Sequence, residues 1–209
     1  TVNRGTTYPA PFQIEREASF KDEIFVLMTS KQSRHRQGIT GPILTVPAKA
    51  KDALYPCFMP EWLATDKTTR MQVMGMARVP DAKGNIRYLT KNSNARITMI
   101  LEGRLMKIAQ HTTELTAKPG DTVEIPVSIT RTPQFAGPVI VSIDIPKRLR
   151  EFLTVEPVSI GTQATTAKLI LQTKASEKLE GDWEFTIKCT GMQDERWPLV
   201  TQTQLPVRF

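Results

Sequence analysis

The chain has 209 residues, of which 40% are hydrophobic, with 28 Lys plus Arg against 21 Asp plus Glu and a formal net charge of +7. That length suits two domains of about 100 residues, each able to bury its own core. No apolar stretch approaches the roughly 20 residues of a membrane-spanning helix, so no membrane insertion is expected, and two cysteines do not build a disulfide scaffold.

In chain order, the first half reads as short strands separated by long loops. Strands are expected at 7–15, 23–29, 43–46, 54–58, 70–79 and 96–101. Pro60-Glu61-Trp62-Leu63-Ala64 reads as one helical turn covering a sandwich end. Asp81-Ala82-Lys83-Gly84-Asn85 is a turn by composition, with Gly84 free to take positive φ. A boundary falls near Glu102-Gly103-Arg104, dividing the chain into domains 1–103 and 104–209.

The second half alternates more cleanly. Leu105 to Ile108 and Leu115 to Ala117 open it. Thr122 to Thr130 then places Val123, Ile125, Val127 and Ile129 on one face, the period of two of a half-buried strand. Further strands follow at 139–145, 154–155, 167–173, 182–190 and 199–207, about seven in all, with one helical turn at Lys147 to Phe152. Seven short strands with Pro at their ends describe an all-β antiparallel sandwich.

The two halves are copies. Shifting Gly5 to Phe25 by 115 residues aligns Gly5 with Gly120, Thr7 with Thr122 and Pro11 with Pro126. It also aligns Ile14 with Ile129, Arg16 with Arg131, Phe20 with Phe135, Ile24 with Val139 and Val26 with Val141. A unit this long is a domain, because solenoid repeats run about 20 to 50 residues. Only four residues precede Gly5, so the first copy is expected to lack its first strand. The sequence is accordingly read as an excised fragment whose upstream neighbour, or a crossing strand, is absent.

The run Gly120-Asp121-Thr122, Ile125-Pro126-Val127, Ile129, Arg131, Phe135, Gly137, Val139, Val141 resembles immunoglobulin-like repeats of large secreted bacterial proteins, some of them peptidase-associated. Leu179, Gly181-Asp182-Trp183 and Phe185 resemble the corner before strand F of such domains, with Trp183 where a Tyr is usual. The resemblance implies two tandem Ig-like β-sandwiches and an extracytoplasmic, non-catalytic module. It transfers no active site.

The excess charge lies in the first half. Residues 1–104 hold 16 cationic against 9 anionic side chains, while residues 105–209 hold 12 of each. Its densest point is Lys31-Gln32-Ser33-Arg34-His35-Arg36, which suits either a solvated loop or contact with an acidic protein or glycan. Trp62 and Trp197 lie beside prolines, positions that suit a plug for the sandwich end or a stacking platform. Arg16 and Arg131 recur at strand ends, and that recurrence points to a structural role such as tying strand-end carbonyls. His35 and His111 have no Cys or carboxylate cluster nearby, so neither a metal nor a cofactor is expected. No nucleophile, base and orienting group can be connected, and cations interleaved with aromatics, as nucleic-acid binding requires, are missing.

The sequence thus reads as a non-enzymatic structural or interaction module of a larger secreted, periplasmic or cell-surface bacterial protein. Its partners would be neighbouring domains. The alternatives are a ligand-binding module for acidic glycan or peptide, through Lys31, Arg34, His35, Arg36 and Trp62, or a periplasmic two-sandwich chaperone.

Overall fold

The computed structural model describes residues 1–29, 38–64, 68–94 and 97–209. They form two compact units, Thr1–Gly103 and Arg104–Phe209. The first unit contains β1 (Val2–Arg4), β2 (Thr7–Gln13), β3 (Ile24–Met28), β4 (Leu44–Val46), β5 (Asp52–Phe58), β6 (Thr68–Met71), β7 (Val73–Pro80), β8 (Ile86–Asn92) and β9 (Ile97–Arg104). The second contains β10 (Met106–Gln110), β11 (Leu115–Thr116), β12 (Thr122–Arg131), β13 (Val139–Asp144), β14 (Leu153–Val155), β15 (Val158–Ile160), β16 (Thr166–Thr173), β17 (Asp182–Gln193) and β18 (Trp197–Arg208). Among the described residues the second unit therefore has nine strands where alternation marks seven; β11 and β15 are too short to show a period.

The second unit is a two-layer sandwich. One sheet runs β10-β12-β16-β14 and the other β11-β18-β17-β13-β15. Its strand pairings are antiparallel except β11 with β18, which is parallel. A first strand that pairs with one sheet and then crosses to run parallel with the last strand of the other gives an immunoglobulin-like topology. The alternation seen in sequence supplies the core. Ile125, Val127 and Ile129 from β12 meet Leu169 and Leu171 from β16 and Phe185, Ile187 and Cys189 from β17, all buried. Each such side chain contributes about 1.5–3 kcal/mol by leaving water. Lys147–Leu149 forms a short 3-10 turn that buries Leu149, close to the helical turn expected there.

The first unit repeats part of this plan in register. β2 faces β5 with Thr7 opposite Phe58 and Gln13 opposite Asp52, and β12 faces β16 with Thr122 opposite Gln172 and Ser128 opposite Thr166. In the same way β3 sets Val26 opposite Gly75 and Leu44, where β13 sets Val141 opposite Cys189 and Val158. Gly5 and Gly120 enter β2 and β12 with φ of 78° and 103°, a region that a side chain resists. That explains why both copies carry glycine there. The core of this unit gathers Val26, Val46, Tyr55, Cys57, Met59 and Met99. Tyr55 is fully buried, yet its hydroxyl donates to the Pro42 carbonyl at 2.6 Å and accepts from the Met28 N–H at 3.1 Å.

Two departures separate the copies. Where the second unit has the long continuous β17–β18 hairpin, the first has two shorter ladders, β6 with β9 and β7 with β8. Met74 lies opposite Asn92, but Met71, three residues earlier, lies opposite Ile97 five residues later, so the register slips by two. Gln72 spans the break, its Nε2 donating to the Ser93 carbonyl at 2.6 Å. The second departure is the outer sheet. Among the described residues β2 pairs with β5 alone, and neither β10 nor β14 has a counterpart. Pro60 to Ala64, expected as a helical turn, is a hydrogen-bonded turn instead, closed by the Leu63 N–H on the Pro60 carbonyl at 3.3 Å.

Candidate functional site

The recurring arginines sit where β2 and β12 leave their sheets, and they make matching contacts. Arg16 donates through Nη1 to the Ala50 carbonyl and through Nη2 to the Pro47 carbonyl. Arg131 donates through Nη1 to Ala164 at 2.7 Å and through Nη2 to Gly161 at 3.2 Å. One planar fork thus holds two carbonyls of the loop before β5 or β16, a geometry a Lys ammonium does not reproduce. In both, the Nε–H is buried without a partner. Both guanidiniums are engaged in holding the loop and are not presented to an anion.

Trp183 closes the corner before β17. Its indole N–H donates to the Leu179 carbonyl at 2.6 Å, and the Arg148 guanidinium lies 4.8 Å from its ring centre. The side chain-to-backbone bond that a tyrosine hydroxyl makes in this position is supplied here by an indole.

Of the residues singled out for binding, Lys31, Arg34, His35 and Arg36 lie outside the described residues. Trp62 is 60% exposed. The far edge of its ring rests on Gly38, where a Cβ would collide with it, and Gly38 has φ of 85°. The turn beneath is tied to β1 by Arg4 Nη1 on the Leu63 carbonyl at 3.0 Å. This ring does not plug the sandwich end; one edge is seated and the remainder faces water. Trp197 is half-buried under Arg196, 4.5 Å from its ring centre.

Cys57 and Cys189 are free and buried, and burial pushes each thiol up to about 12, with Arg131 opposing the rise at Cys189. Such thiols are inert packing groups. His111 Nε2 lies 3.0 Å from Ser128 Oγ at an exposed position. Among the described residues no three His, Cys, Asp or Glu side chains converge as a metal site would require. In the β7–β8 turn, Asp81 accepts from the Asn85 and Lys83 N–H groups, each at 2.9 Å, and from Arg87 Nε at 3.1 Å. These bonds, led by that from the Asn85 backbone, hold its carboxyl below the usual carboxylate range.

The first copy was expected to lack its first strand; what sequence reading missed is β8. Phe12 and Ile14 are half-buried, while their counterparts Val127 and Ile129 are 1% and 2% exposed. β8 is exposed along its whole length.

No family model and no curated protein sequence matches the chain. Among solved structures, it is similar to domains 4 and 5 of the S-layer protein SbsC, at 16% identity over 95% of this chain and 78% of that one, with a TM-score of 0.32. It is also similar to the I9–I11 tandem from titin, at 8% identity over 99% of this chain and 61% of that one, with a TM-score of 0.30. The chain thus spans less than two thirds of the titin tandem.

Proposed function

We propose that this chain is a non-catalytic structural and interaction module, two tandem Ig-like domains of a larger secreted or cell-surface bacterial protein. One observation carries the reading: both units use the same cross-strand register and the same arginine clamp. Selection that keeps a folding plan twice, clamp included, preserves a scaffold, and the recurring arginines hold loops. The role that follows is to space or present neighbouring domains and to dock a partner.

The test is to raise an antibody to this chain and probe size-separated extracellular, surface, periplasmic and cytoplasmic fractions of the source cells. The module reading expects a polypeptide well above 209 residues in a surface or extracellular fraction. A cytoplasmic polypeptide with no further domains contradicts it.

A second reading, docking of an acidic glycan or peptide, is favoured by the seated but exposed ring of Trp62 together with the basic run Lys31, Arg34, His35 and Arg36. An array of acidic glycans at low and high salt tests it, because contacts made by the basic run weaken with ionic strength. Salt-insensitive binding, or none, rejects that reading.

A further inference from the structure

The alternation that fills the core of the first unit also builds the opposite face of its sheet. In β3, Val26 is buried and Ile24 and Met28 pack against the core, so Phe25 and Leu27 point the other way. Their ladder partners in β7 are Met76 and Met74, and residues directly opposite share a face. None of these four belongs to the core cluster or packs against it, and all four are half-buried. The face continues onto β8, where Tyr88 lies opposite Arg78 and Ile86 opposite Pro80. Tyr88 is 61% exposed and Ile86 47%.

The second unit is an internal control for this face. Phe25 with Met76 stands where Ile140 pairs with Thr190, and Leu27 with Met74 stands where Ser142 pairs with Lys188. One copy of the ladder therefore carries polar side chains at three of the four places. Folding does not require apolar ones there. A contiguous apolar patch outside the core marks a contact surface, and methionine, unbranched and polarizable, suits one.

The charges at its border select the partner. Continuing the register of β3 and β7 by two residues brings Glu23 level with Arg78, on the same face by alternation. Both line one groove beside Phe25, and neither makes an ion pair with a described residue. A partner of one sign suits only half of this border. Opposite charges side by side are instead complementary to their own image under a two-fold rotation. With the axis along the strands, between β3 and β7, Phe25 meets the second copy's Met76, Leu27 meets its Met74, and Glu23 meets its Arg78. Each contact then occurs twice. Such an axis also keeps the strands of the two sheets within the roughly 30° of aligned face-to-face packing.

We propose that the face of Phe25, Leu27, Met74 and Met76 is the interface of a two-fold dimer, its occupant a second copy of this chain. The apolar side chains supply the affinity, and the crossed Glu23 and Arg78 pairs fix the orientation. This rests on the interaction role proposed above and deepens it by naming the partner. Its failure leaves the spacer role standing, because the fractionation experiment reads size and location while the one below reads self-association.

The experiment is sedimentation equilibrium of the whole 209-residue chain from about 1 μM to about 1 mM. The mass is expected to double across that range and to stop there. Leu27→Ser with Met74→Lys, which installs the residues of the second unit, should raise the dissociation constant about tenfold or more. The melting temperature of the dilute, monomeric protein should stay near that of the parent. Glu23→Arg or Arg78→Glu alone should weaken the dimer, and the two together should restore it, because the exchanged charges meet again across the axis. These charge variants decide the matter by themselves if the first variant fails to fold. A chain that stays monomeric to about 1 mM overturns the proposal, as does a dimer that Leu27→Ser with Met74→Lys leaves intact. Growth beyond a dimer overturns it too, since an open-ended contact is not two-fold, and so do charge reversals that fail to rescue each other.

Discussion

Replacing Arg131 by Ala removes the fork that holds the Ala164 and Gly161 carbonyls. A hydrogen bond from a charged donor contributes about 1.5–3 kcal/mol, so two set a ceiling of about 3–6 kcal/mol. Two effects reduce it. The buried, unpartnered Nε–H already costs about 1–3 kcal/mol, and Gly161 and Ala164 are exposed, so water replaces the lost donors. The expected loss is about 2 kcal/mol. Urea titration followed by amide exchange in β12 and β16 reads it in the second unit alone. Arg16→Ala should produce a loss of similar size, confined to β2 and β5. Lys at either position should recover less than half, since one ammonium does not span both carbonyls. A loss under about 0.5 kcal/mol, or full rescue by Lys, would show that these arginines are no more than positive charges at a loop, and would refute the clamp.

Trp183→Phe keeps the ring but leaves the Leu179 carbonyl without its donor, and should cost about 1–2 kcal/mol in denaturant titration; no change would mean the corner bond is ornamental. Asp81 is held below its usual range, so the native state binds fewer protons than the unfolded chain. Its stabilisation is full above about pH 3.9 and fades as pH falls through the lower native value. A carboxyl titration by NMR should give that lower midpoint, shared by the Asn85 amide and absent in Asp81→Asn. Cys57 and Cys189 titrate in the opposite sense. The unfolded thiols ionise above about 9.0 while the buried ones resist to about 12, so stability falls by up to about 1.4 kcal/mol per pH unit for each. Removing both with Ala should flatten that slope, and native thiols should resist a maleimide until urea is added. Asp194 and Glu195 hold φ of 51° and 55°, values that favour Asn and Gly, so Asp194→Asn with Glu195→Gly should raise the melting temperature. A lower one would show that the strained turn is compensated elsewhere.

Much of this was written in the side-chain pattern. β12, β13, β16 and β17 alternate because each buries one face, and the repeated glycine and arginine mark positions that demand positive φ or a two-carbonyl fork. β8 was not legible: Ile-Arg-Tyr-Leu-Thr-Lys-Asn is exposed on both faces, so no period of two records a buried side. β15 spans three residues, too few to show a period, and pairs with β13. The break between β6 and β7 arises from a two-residue slip in the opposite strand, which the sequence of the broken strand does not carry. For the candidate site, the basic run at 31–36 could be named from charge alone.

The duplicated register is tested most directly by backbone Hα–Hα contacts across β2–β5 and β12–β16. Gln13 with Asp52 and Ser128 with Thr166 face each other as close non-hydrogen-bonded pairs, so both should give strong cross-strand contacts in the same NMR spectrum. An offset of one residue in either ladder, or a contact in one unit with no equivalent in the other, would contradict it.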